Sequence, residues 1–202
     1  MQDIKYLKWL SEKTVTSWWH DSADPDELQE SLLNGAVGVT TNPFLISVSL
    51  KTRPEVWGKM ISTIPKTFTG DEKAEAIMEK ITVNIASILE PVYMDTKGEQ
   101  GYVCAQVNPS KAAYTDEMIE MAKRVCKWAP NIAVKLPATA AGLDALEECV
   151  ALGMTITATV SFTLPQVLHI AKRYKKGTDR ALLSGIKPGK CFAVIMIGRI
   201  DD

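Results

Sequence analysis

The sequence predicts an α/β fold, a parallel sheet covered by helices. Two observations carry this. Six short apolar runs recur along the 202 residues, each a near-continuous hydrophobic stretch of strand length. Most are followed by a segment with helix signals, so strand and helix take turns along the chain. The composition, 46% hydrophobic and 23% charged, is that of a globular chain with a core. No linker or low-complexity segment interrupts it, so residues 1–202 read as a single domain.

The N-terminal segment reads as an amphipathic helix, with Ile4, Leu7 and Leu10 on one face and Lys5, Lys8 and Glu12 away from it. The first run covers 16–21 and ends Trp18-Trp19-His20-Asp21. Asp24 is then a natural N-cap, Pro25 suits the first helical position, and Asp26 and Glu27 complement the helix dipole. Asn34-Gly35 closes that helix. The second run, 36–41, is stopped by Asn42-Pro43, and a longer helical section follows. Its clearest part is 71–90, where Ile77, Ile81, Ile85 and Ile88 recur at helical spacing. The third run is 102–107, with a helix over about 115–127. The fourth is 132–136, with a helix over about 142–152 stopped by Gly153. The fifth is 155–160, after which Thr163 caps a helix carrying Pro165 in its first turn. Lys172, Arg173, Lys175 and Lys176 read as a basic run at that helix's end. The sixth run is 192–197.

Two architectures fit this alternation, an open doubly wound sheet and a β/α barrel. A doubly wound nucleotide binder usually has a glycine-rich turn after its first strand. Here that turn is Asp21-Ser22-Ala23-Asp24-Pro25, with two acids and no glycine, which would repel an anion. A barrel puts its chemistry at strand C-termini. The polar residues gather there: Asp21, Thr40-Thr41-Asn42, Gln106 and Asn108, Lys135, Thr157 with Thr159, and Arg199. The TIM-type barrel is therefore the expected fold.

Composition excludes other classes. The formal charge is -1, from 23 basic and 24 acidic residues, so no basic excess suggests nucleic acid. No apolar run approaches the ~18 residues of a membrane span. Asp3, Lys5 and Lys8 break any signal-peptide core, and a cytoplasmic protein is expected. Cys104, Cys126, Cys149 and Cys191 show no metal spacing and read as small buried hydrophobes in a reducing compartment. With only His20 and His169, a multi-histidine metal site is excluded. His20 has the opposite parity to Asp21 and should face the helices.

In Ile132-Ala133-Val134-Lys135-Leu136-Pro137, alternation puts the bulky residues on one face and Ala133 with Lys135 on the other. The bulky face should meet the helices, leaving Lys135 in the barrel interior. A lysine amine removed from water is more readily neutral, and the neutral amine adds to a carbonyl to form a Schiff base. A lysine at a strand end that snorkels to solvent is the plainer alternative. Imine chemistry also needs a carboxylate or hydroxyl to move protons, and Asp21 and Thr159 are candidates.

Four segments, Asp21-Ser22-Ala23-Asp24, Gly38-Val39-Thr40-Thr41-Asn42-Pro43, Val134-Lys135-Leu136-Pro137-Ala138-Thr139 and Gly198-Arg199-Ile200-Asp201-Asp202, resemble signatures of the transaldolase family. They lie in family order on the first, second, fourth and sixth strands. The resemblance implies a class I, Schiff-base barrel enzyme with no metal or organic cofactor. It implies transfer of a dihydroxyacetone unit between sugar phosphates such as sedoheptulose 7-phosphate and fructose 6-phosphate, in the pentose phosphate pathway. Residue by residue, Lys135 resembles the Schiff-base lysine and Asp21 the acid/base aspartate. Asn42, with Thr41 beside it, resembles the group that binds substrate hydroxyls. Thr159 resembles the threonine that holds the catalytic water, and Gln166 lies seven residues on, as the family's glutamine does. Arg199 resembles the phosphate-binding arginine, whose fork suits phosphate oxygens.

Some positions depart from the pattern. Gln106 stands where many transaldolases have glutamate, and the fructose 6-phosphate aldolase branch also has glutamine there. Thr157 replaces a common asparagine among the substrate-binding positions. Val194-Ile195-Met196 replaces the usual Ser-Pro-aromatic before the arginine. Two further readings follow: a lyase releasing free dihydroxyacetone, and a non-catalytic sugar-phosphate-binding homologue. A full barrel has eight strands, so six runs predict a C-terminally incomplete barrel. Open edges on its first and sixth strands would favour self-association into a homo-oligomer.

Overall fold

A computed structural model describes residues 5–199. They divide into two units, the first ending at Ala105 and the second beginning at Gln106.

The first unit opens with α1 (Lys5–Lys13) and β1 (Trp18–His20). Helix α2 (Pro25–Leu33) follows, then β2 (Ala36–Thr40). The Asp24 carboxylate accepts from Asp26 N at 2.9 Å and Glu27 N at 3.4 Å, as its N-cap position predicts. Gly35 ends the helix at a φ of +86°, a left-handed conformation that favours glycine. The long helical section resolves into α3 (Pro43–Thr52), α4 (Pro54–Ile61) and α5 (Gly70–Asp95), and β3 (Tyr102–Gln106) reaches the unit's end. Strands β1, β2 and β3 are parallel neighbours in chain order, with His20 opposite Val39 and Thr40 opposite Cys104. The core gathers Leu28, Val39, Ile46, Trp57, Ile81, Ile85 and Leu89. At its centre Trp57 Nε1 donates to Ser49 Oγ at 2.8 Å, and Ser49 donates onward to the Ala23 carbonyl at 3.0 Å.

The second unit contains α6 (Thr115–Val125), β4 (Ile132–Pro137), α7 (Ala140–Ala151), β5 (Ile156–Ser161), α8 (Leu164–Leu183) and β6 (Cys191–Ile195). A 3-10 turn follows at Ile197–Arg199. Its strands are also parallel and sequential, with Lys135 opposite Thr157 and Thr157 opposite Phe192. Gly177 lets α8 close on α7: a Cβ there would lie 2.6 Å from the Glu147 carbonyl oxygen.

Six strands alternate with helices through the described residues, with parallel, sequential pairing inside each unit. The expected fold class holds: this is the α/β pattern of a TIM-type barrel. No helix among the described residues is long and apolar enough to cross a membrane.

Some details differ from the sequence reading. Strand β1 is shorter, because only Trp18 to His20 pair. The basic run of α8 lies in mid-helix, since the helix continues to Leu183. There Arg173 meets Asp144 at 2.6 Å and Glu147 at 2.9 Å, and Lys175 meets Asp179 at 2.7 Å. These residues form ion pairs, chiefly with α7, rather than complementing a helix end. Of the cysteines, Cys104 and Cys149 are buried, whereas Cys126 and Cys191 are half-buried. Burial pushes the Cys149 and Cys191 thiols up to about 12.

Candidate active site

Lys135 lies two residues before the end of β4, and only 9% of it is exposed. Every residue from Ile132 to Leu136 is buried, so the strand is covered on both faces. Burial favours apolar residues on both faces of such a strand, and lysine is among the residues least often found there. Register identifies its neighbours. Lys135 pairs with Thr157 and Thr157 with Phe192, so the three share one face. Thr159, two residues further along β5, lies on that face opposite Pro137. Both threonines are buried. The backbone holds this arrangement: the Lys135 carbonyl accepts from Val107 N at 3.3 Å, and the Thr159 carbonyl accepts from Ala138 N at 2.7 Å. Val107 follows Gln106, so the half-buried Gln106 is tied by its neighbour's amide to the lysine's own peptide.

The end of β5 has an unusual backbone. Ala158 pairs with Ala193 but Ser161 with Ile195, so β5 carries one residue more than β6 across this interval. Val160 takes a φ of +59°, which for a β-branched residue costs on the order of 1–3 kcal/mol. Next to it Gln166 forms a capping box with Thr163 at the start of α8.

The first unit contributes a separate group. Asp21 is exposed and directly follows β1, while Thr41 and Asn42 directly follow the neighbouring β2. Asn42 caps α3, its side-chain oxygen accepting from Leu45 N at 3.0 Å. Its NH2 group is then the arm that could bind a ligand. Thr41 is fully buried and donates its hydroxyl to the Cys104 carbonyl at 2.8 Å, tying β2 to β3. His20 does face the helices, with Nδ1 2.8 Å from Ser31 Oγ on α2. Burial holds the His20 imidazole below its usual range, against the opposing pull of Glu27, Asp21 and Asp24.

Arg199 stands in the last described turn, and its side chain, like Ile200, Asp201 and Asp202, lies outside the described residues. No group of three or more His, Cys, Asp or Glu residues is placed to hold a metal ion among the described residues. The capping bonds of Asn42 and Gln166 escaped the sequence reading, although Asn-Pro before a helix and Thr-x-x-Gln are recognisable capping patterns.

A strand lysine buried beside two threonines marks the candidate site of a protein of the parallel β/α barrel class. Comparison with known proteins narrows the class. The family model described as Transaldolase/Fructose-6-phosphate aldolase matches residues 18–202, and the chain belongs to that family. It is similar to a protein named Transaldolase 1 from Streptomyces avermitilis, 29% identical over 98% of this chain and 55% of that protein. It is also similar to a transaldolase from Thiobacillus denitrificans, 27% identical over 92% of this chain and 54% of that protein. The transaldolase of Mycobacterium ulcerans is 26% identical over 92% of this chain and 52% of its own length. The chain thus spans about half the length of the curated relatives it matches.

Proposed function

We propose that this chain carries the Schiff-base chemistry of a transaldolase, with Lys135 as the nucleophile. The observation that carries the reading is the buried Lys135 on one strand face with Thr157 and Thr159. The Nζ lone pair attacks the ketone carbon of a ketose phosphate such as fructose 6-phosphate or sedoheptulose 7-phosphate. Loss of water from the carbinolamine leaves an iminium ion. Asp21 takes the proton of the C4 hydroxyl, the C3–C4 bond breaks and its electron pair flows into the iminium, giving a C2–C3 enamine and releasing an aldose phosphate. The enamine then adds to a second aldehyde, and water returns to free the lysine.

Thr159 is suited to hold the water that enters and leaves, being a buried hydroxyl on the lysine's face. Asp21 is the proton carrier of this reading, on the family resemblance of the first-strand motif. Gln106 can orient a water but cannot take its proton, which leaves more of that work to Asp21. Asn42 and Thr157 would bind substrate hydroxyls, and Arg199 the phosphate. The reaction asks for no metal or organic cofactor. Its place would be the carbohydrate metabolism of the cytoplasm, with sugar phosphates as the partners.

The test is a transfer assay. With fructose 6-phosphate and erythrose 4-phosphate, the chain should form sedoheptulose 7-phosphate, and Lys135→Ala should abolish it. Product formation that survives Lys135→Ala refutes the assignment. Gln106 motivates a second reading, a lyase. Free dihydroxyacetone accumulating at the cleavage rate without an acceptor aldehyde would establish it. Val194 and Met196, in place of the family's serine and aromatic residue, motivate a binding-only homologue. Sugar-phosphate binding without imine formation would identify that.

A further inference from the structure

We infer that Gln166 is a positioning residue, which holds the left-handed turn at Val160 and so sets the direction in which Thr159 presents its hydroxyl. The inference rests on the role proposed for Thr159 and deepens it.

Val160, a β-branched residue, is poorly able to keep its conformation unaided. Its φ of +59° suits glycine, the residue is 44% exposed, and it falls where β5 carries its extra residue. Both flanks are pinned. Thr159 is held through its carbonyl by Ala138 N at 2.7 Å. The Ser161 carbonyl accepts from Met196 N at 2.9 Å, and the Ser161 hydroxyl donates to the Val194 carbonyl. The chain between these anchors is gathered by one side chain. Gln166 Nε2 donates to the Val160 carbonyl at 3.3 Å. Gln166 Oε1 accepts from Phe162 N at 2.9 Å, Thr163 N at 3.2 Å and Thr163 Oγ1 at 3.1 Å. A single amide therefore closes residues 160–163 with both its donor and its acceptor. Glutamate would keep the acceptor but lose the donor to Val160. Strain of this kind persists where its surroundings hold it, and here that hold is immediately next to Thr159.

Gln166→Ala, Gln166→Glu and the pair Val160→Gly/Gln166→Ala, made in the 202-residue chain, test the inference. Hydrogen exchange at Phe162 and Thr163 reads the hold independently of activity. Gln166→Ala should speed it about tenfold, as the loss of neutral hydrogen bonds implies, whereas Gln166→Glu should spare it. Borohydride trapping with fructose 6-phosphate reads the consequence. Gln166→Ala should slow trapping about 10- to 100-fold, the scale of a misplaced reacting group. Glycine reaches this φ without a Cβ penalty, so adding Val160→Gly should recover most of that loss. Helix capping alone would not be rescued by glycine. Unchanged exchange in Gln166→Ala, or a trapping loss that glycine leaves in place, overturns the inference. If the unsubstituted chain forms no imine, the reading of Lys135 fails and the inference falls with it. A defect confined to the variants leaves that reading standing.

Discussion

Alanine at Gly177 should destabilise the chain, although alanine is the better helix former. Gly177 lies inside α8, where propensity alone favours the substitution by about 1 kcal/mol. Packing against α7 opposes it. The new Cβ would lie 2.6 Å from the Glu147 carbonyl oxygen, 2.9 Å from Val150 Cβ and 3.0 Å from Val150 Cγ1. Two of these atoms cannot rotate away, one being backbone and the other a Cβ. Restoring ordinary contact requires α7 and α8 to separate, and overpacking of this kind costs about 3 kcal/mol at the upper end. The net effect is a loss of about 2 kcal/mol, or a melting temperature lower by roughly 4–8 °C. Gly58→Ala is the control. Gly58 is exposed in α4 with nothing within 4 Å of the added Cβ, so propensity acts alone. That variant should melt roughly 2–4 °C higher. Thermal unfolding followed by circular dichroism on the two variants side by side is the assay. The packing argument is refuted if Gly177→Ala is stabilised as much as Gly58→Ala.

Two further substitutions probe the first unit. Thr41→Val keeps the side chain's shape but removes the donor to the buried Cys104 carbonyl, so stability should fall by about 1–3 kcal/mol in urea titrations. The Thr41 hydroxyl is already engaged, so KM for the sugar phosphate should stay unchanged; a large rise would show that it contacts substrate instead. His20 predicts a pH dependence. Its imidazole is held below the ordinary value of 6.5, so below that pH the unfolded chain binds the proton more readily than the folded one. The stability contributed by the neutral ring is complete above 6.5 and is lost as pH falls towards the lowered value. Urea midpoints measured across this range should decline with acidification, and His20→Gln should flatten the decline. An equal slope in both proteins would remove His20 from the explanation.

The order of strands and helices was legible because capped helices leave marks. Asp24-Pro25 and Thr163 with Pro165 announced α2 and α8, and both side chains cap as read. The division of the section after Asn42 into three helices was also written, in Pro54. The residue before a proline avoids the helical region, and Arg53 sits at φ -129° and ψ 52° between α3 and α4. The N-terminus of α7 was placed late because Ala140 and Ala141 carry no signal of their own; Thr139 caps it by accepting from Gly142 N at 3.0 Å. The face of Lys135 was read from alternation alone, and register places Thr157 on that same face. The bulge at Val160 was not legible. A β-branched residue at positive φ contradicts local preference, and only the fixed ends at Thr159 and Ser161, with the Gln166 amide between them, explain it. Thr41 looked like a site residue because it adjoins Asn42, and only tertiary structure shows its hydroxyl turned to Cys104.

The central claim is that Lys135 forms the imine, and one measurement tests it most directly. The chain is incubated with fructose 6-phosphate, reduced with sodium borohydride and mapped by peptide mass spectrometry. A reduced dihydroxyacetone adduct is expected on the peptide containing Lys135 and is expected to be absent from Lys135→Ala. An adduct on another lysine, or one that persists in Lys135→Ala, would contradict it.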